Sequence, residues 1–268
     1  MNFDDKIEQW SDRINPVLVK ELRQTVRSGV LLSSLLSVAT LIMLALFVHL
    51  GMVNQAESLV QPQGRMIFIW LVNLLFFFCL IIVPMNAGIR LIREIYFHNT
   101  ELFYASPLSA GQIIRGKLAS GSYLVFLFFS ICAPFLFVTS LLRGIDILSI
   151  VVVLILGFLV IVAELQVALL VCTLNIRRVA RGIIGVVVAV FTLPVAMALF
   201  GSGTALVVFN GPGELFNFLL SENGLGLLLV VGWILGVAHA LSITFAGRIY
   251  GQGQALLVVE IGEKKYHF

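Results

Sequence analysis

Six stretches of this chain, at 30–53, 66–89, 118–142, 147–174, 183–208 and 225–246, are each long and apolar enough to cross a bilayer, which takes about 20 residues of helix. None of them alternates polar and apolar residues with period two, so they are helices rather than the strands of a membrane barrel. An all-α membrane protein with six transmembrane helices follows. Composition agrees: 60% of residues are hydrophobic and 12% charged, the latter about half of what a soluble domain carries. The first run is no cleaved signal peptide, because it starts at residue 30, is too long, and leads into Met52-Val53-Asn54-Gln55 with no small-residue cleavage site. Cys79, Cys132 and Cys172 lie inside apolar runs and read as small hydrophobes. No basic stripe with interleaved aromatics exists for nucleic acid to bind.

Orientation follows from Lys and Arg. Lys6, Arg13, Lys20, Arg23 and Arg27 precede the first span, and Arg90, Arg93, Arg115 and Lys117 join the second to the third. Arg177, Arg178 and Arg181 join the fourth to the fifth, and Arg248, Lys264 and Lys265 follow the sixth. The opposite loops hold Arg65 and Arg143. Fifteen cations against two place both termini in the cytosol. The expected organisation is a cytosolic N-terminus with an amphipathic helix (1–29), a membrane domain (30–247) and a cytosolic tail (248–268).

Two polar segments have their own logic. Asn15 suits an N-cap and Pro16 the first helical turn, after which Leu18, Leu22 and Val26 recur every four residues. Lys20, Arg23, Gln24 and Arg27 cover the remainder, the pattern of a helix lying in the membrane plane near anionic headgroups; a soluble helix packed on a partner would read the same way. In the segment 91–117, Pro107 cannot continue a helix from upstream and pushes Ser106 toward an extended backbone. Ser109 can cap a new helix, with Gln112 in the capping-box position. Ile113 and Ile114 would give that short helix an apolar side, with Arg115 and Lys117 closing it at the membrane surface ahead of the third span. Gly111, Gly116 and Lys117 match the spacing of a phosphate-binding loop, but Leu118 replaces the magnesium-binding hydroxyl and no buried strand precedes it, so the match reads as chance.

This segment resembles the cytosolic loop of permease subunits of type-two ATP-binding-cassette exporters. The resemblance rests on Arg93-Glu94, Thr100-Glu101, Ser106-Pro107-Leu108-Ser109 and Gly116-Lys117. The segment NPVLVKELRQTVRS is similar to that family's elbow helix, with Lys20-Glu21-Leu22 and Arg27 at the matching places. A departure is Asn99, where the family usually has Gly. The resemblance implies a multi-pass subunit of the bacterial cytoplasmic (inner) membrane that pairs with a second copy or a homologous permease. It also implies cytosolic ATPase subunits that bind ATP and magnesium, this chain having no cofactor and no ATPase site of its own. A coupling helix, drawn from Glu94, Glu101, Ser106, Pro107, Leu108, Ser109, Gln112 and Arg115, would sit on the ATPase and pass its closure to the membrane helices. Read from the residues alone, Arg93, Glu94 and Glu101 equally fit an ordinary solvated face with charge pairs.

Asn73, Glu164 and His239 are polar positions within the spans and candidates for a translocation path. Glu164 comes out about 15 Å, and His239 about 12 Å, from the cytosolic end of its span. A structural hydrogen bond between helices is the competing role for Glu164, since a charge there must be neutralised or partnered. Pro84, Pro134 and Pro194 interrupt spans and permit bends. Gly232, Gly236 and Ala240 form a small-residue stripe on the sixth span. The segment 211–222 fits a half-buried external helix, a position where the resembling family has re-entrant elements. The tail, with ALLVVEIG, fits either a strand or a docking strip. Among other functions, protease and hydrolase chemistry lacks its motifs. A haem subunit lacks facing His pairs, since His98 and His267 lie outside the spans and His49 near an edge. A noncatalytic membrane anchor of another complex is the alternative to an exporter. A translocation role for Glu164 predicts that Glu164→Gln abolishes transport while the complex still assembles; normal export by that variant removes the residue from the path.

Overall fold

The computed structural model describes residues 16–27, 29–52, 63–96, 109–142, 144–174 and 176–265. Their elements are all helices: α1 (Pro16–Arg27), α2 (Gly29–Met52), α3 (Gln63–Tyr96), α4 (Ala110–Leu141), α5 (Ile147–Thr173), α6 (Arg178–Asn210), α7 (Pro212–Leu220) and α8 (Glu222–Lys265). Six of them, α2 to α6 and α8, are long and apolar enough to cross a membrane, and the chain is a multi-pass membrane protein. Hydrocarbon offers a backbone amide no partner, so each crossing element satisfies its hydrogen bonds internally.

Helix boundaries have local causes. Asp146 caps α5: its carboxylate accepts the Ser149 amide at 3.3 Å and the Ser149 hydroxyl at 2.6 Å. The hydroxyl bond is the main reason its carboxyl is held below the ordinary range. Gly211, at φ 94°, ends α6, and Pro212 opens α7 directly after it; a left-handed backbone there suits glycine alone. α7 is thus the helix expected at 211–222, with Leu215 buried and Phe216, Phe218 and Leu220 exposed.

α3 is the hub. Half of its apolar window is buried, against 11% for each of α6 and α8, and Phe68, Leu71, Leu75, Phe76, Leu80 and Val83 form its inner face. α5 and α6 interlock through reciprocal notches. A Cβ on Gly157 would lie 2.9 Å from the Phe200 ring, and one on Gly203 would lie 2.4 Å from Leu156, so each helix seats the other's side chain over a glycine. Phe200 continues inward to stack on Phe76 of α3, with centroids 3.9 Å apart. At the far end, Arg65 of α3 donates to the Gly144 carbonyl at 3.1 Å and lies over the Phe209 ring of α6.

Four expectations change. The short helix after Pro107 and the third span are one continuous helix, α4, because nothing between Ser109 and Leu118 stops helix propagation once the cap has formed. Lys117 does not close a helix at the membrane surface but is buried, drawn in by a carboxylate. Ile113 and Ile114 are buried within the bundle rather than forming a separate apolar side, packed with Val17 of α1 and Ala246 of α8. The tail is not a strand but the continuation of α8 to Lys265; its glycines weaken a helix without the blockade a proline imposes. Among the described residues, a Cβ on Gly232 or Gly236 would meet nothing within 4 Å. The contrast in glycine environments gives a test: Gly157→Val should destabilise the protein by about 1–3 kcal/mol through overpacking, while Gly232→Val should be neutral. Thermal midpoints of both variants in detergent decide it, and equal midpoints would contradict the notch.

Candidate functional site

The polar residues gather in two places, one at an end of the bundle and one in its interior. At the end, α1 turns Val17, Glu21 and Thr25, on successive turns, toward its neighbours, and all three are buried. Of the expected apolar stripe, Leu18 and Leu22 are half-buried, and the side chain of Val26 lies outside the described residues. Glu21 and Lys117 are each 3% exposed, and Lys117 Nζ donates to Glu21 Oε1 at 2.6 Å. Arg90 of α3 lies 3.9 Å from the other carboxylate oxygen and donates to the Thr25 hydroxyl, which itself donates to the Glu21 carbonyl at 2.6 Å. Burying charges is costly unless they are closely paired, and here three helices supply the pairing. The G-x-x-x-x-G-K spacing therefore lies along a helix, with its lysine bonded to Glu21.

Just outside this cluster the N-terminus of α4 forms the anticipated capping box. The Ser109 hydroxyl accepts the Gln112 amide at 3.3 Å, and Gln112 Oε1 accepts the Ser109 amide at 2.9 Å. Ser109, Gln112 and Arg115 are exposed, and Arg115 Nε donates to the Gly111 carbonyl at 3.2 Å. These three of the expected coupling residues share one end of one rigid helix. Glu101, Ser106, Pro107 and Leu108 lie outside the described residues; Glu94 lies in α3, and its side chain is outside them too.

In the interior, α5 presents polar groups to two neighbours. Glu164 accepts a hydrogen bond from the Thr192 hydroxyl of α6 at 2.5 Å. Gln166, two residues on, serves α8: its Nε2 donates to the Ser242 hydroxyl at 3.0 Å, and its Oε1 lies 3.3 Å from His239 Nδ1. Glu164 and His239, two of the candidate path residues, thus belong to separate contacts. Asn73 bonds locally, donating to the Ile69 carbonyl one turn back. Among the described residues no three His, Cys, Asp or Glu side chains converge as metal ligands would.

Sequence reasoning missed Glu21, Thr25, Arg90 and Lys117 as a unit, and Thr192, Gln166 and Ser242 as partners. A usable signal existed for Ser242, which lies i+3 from the candidate His239 on one helix face in an apolar run. Comparison with protein-family models, with curated proteins and with solved structures finds no match. The α5–α8 contact is open to direct measurement. A double-mutant cycle of Gln166→Leu and Ser242→Ala should give a coupling of about 0.6–2 kcal/mol, the range for hydrogen bonds between membrane helices; a coupling of zero would mean the bond is absent in the membrane.

Proposed function

We propose that this chain is the permease subunit of an ATP-binding-cassette exporter, moving its cargo by alternating access while a separate ATPase hydrolyses ATP. The observation that carries the reading is the exposed, capped start of α4 at Ser109, Gln112 and Arg115. That end is stiffly continuous with a membrane-crossing helix and joined through Lys117 to α1 and, by way of Glu21, to α3. A push on Ser109 therefore reaches three helices at once. An exposed helix terminus that merely ended in solvent would have no need of such bracing.

In this reading the end with Arg90, Arg93, Arg115, Lys117, Arg177, Arg178 and Arg181 faces the cytosol, as the Lys and Arg distribution directs. Both termini lie there, in the cytoplasmic membrane of a bacterium, and α1 is an elbow helix at the interface. ATP and magnesium belong to the partner ATPase. A second copy or a homologous permease covers exposed apolar surface of α6, around Val190 and Phe191. Glu164 and Gln166 are then polar contacts in the moving part of the bundle.

The test is purification of the full chain from its native membranes with a photo-crosslinker at Gln112. An ATP-hydrolysing companion crosslinked through that position is expected. Recovery of no such companion, or crosslinks confined to proteins of the opposite side of the membrane, would overturn the reading and leave a membrane anchor in its place.

A further inference from the structure

The buried carboxylate of Glu21 has two cations within reach, and they come from different helices. Lys117 of α4 is bonded at 2.6 Å, while Arg90 of α3 waits at 3.9 Å. The Arg90 guanidinium is held in place by the Thr25 hydroxyl, on the same face of α1 as Glu21 and one turn along. Closing the gap to hydrogen-bonding distance takes about 1 Å of movement. Room for it lies alongside: a cavity of about 20 Å³ bordered by Glu21, Thr25, Asn86, Arg90, Lys117 and Ser120, enough for roughly one water.

We propose that Glu21 is a handover latch, a carboxylate that passes from Lys117 to Arg90 when α4 shifts against α1 and α3. A buried ion pair with a single partner resists separation because breaking it strands a charge. With two partners on two helices, the carboxylate is paired in both positions, so α4 gains a second seat and α1 stays docked in each. The device ties α1 to the ends of both helices that flank residues 97–108, whatever binds there. It stands on the ion geometry and holds whether or not the chain works with an ATPase.

Redundancy of the two cations is the property to measure. Val17 is 2% exposed on the seated face of α1, so a Val17→Cys variant of the full chain, in membranes, reports release of α1 by its rate of maleimide labelling. Lys117→Met and Arg90→Met should each leave that rate within about threefold of the parent, and the two together should raise it at least about tenfold, because only the double change strands the carboxylate. Adding Glu21→Leu to the double variant should return the rate to within about threefold of the parent, since no stranded charge remains. That triple variant separates release from misfolding. The latch is overturned if Lys117→Met alone opens α1 as far as the double variant, if the double variant labels no faster than the parent, or if the triple variant labels as fast as the double.

Discussion

A bilayer interior accepts neither an unbonded backbone amide nor an unpartnered charge, and the placement of this chain's few polar groups follows from that constraint. Its apolar stretches close their own backbone bonds as helices. The ionisable groups that remain are carried to the helix ends or paired where they enter the bundle. Glu21 is the clearest case, since it is buried on a helix outside the membrane-crossing set and is held by lysine and arginine from two helices inside it. That carboxylate and the packing of Val17 against Ile113, Ile114 and Ala246 together make α1 part of the bundle.

The two ends of the bundle are fastened by different chemistry. At one, the charges of Glu21, Lys117 and Arg90 join α1, α3 and α4. At the other, the Arg65 guanidinium bonds the Gly144 carbonyl of the α4–α5 turn and lies 5.4 Å from the Phe209 ring centroid of α6. Between them the Phe76–Phe200 ring stack and the glycine notches of α5 and α6 join α3, α5 and α6, although α6 and α8 leave most of their length on the outside. Open flanks of this kind are what the proposed movement against lipid or a partner copy would use. The handover proposed for Glu21 would let such movement begin at the fastened end without exposing a charge.

What the sequence made legible was local. Apolar run length identifies every membrane-crossing helix, because hydropathy over about 20 residues is a property of the segment itself. The Ser109–Gln112 capping box was equally readable, being a bond across three residues. Reading α4 as two helices failed because Lys117 looks like a surface residue until its partner is known, and that partner lies 96 positions away. On α1 the periodicity of Leu18 and Leu22 was legible, whereas the turn of Glu21 into the bundle depends on Lys117 of another helix. Gln166 stayed hidden because its role depends on Ser242 and His239 of another helix. The polar contacts between helices are long-range pairings, and a single chain's pattern does not say which residues meet.

In the proposed exporter the capped start of α4 faces the cytosol, where a partner can push on it. Labelling by a membrane-impermeant thiol reagent tests this most directly, comparing Gln112→Cys with Asp146→Cys, two exposed positions at opposite ends of the bundle. The native cysteines are buried and give little background. Intact cells should label the Asp146→Cys variant, and the Gln112→Cys variant should react only after the membrane is opened. Labelling of Gln112→Cys in intact cells would contradict it.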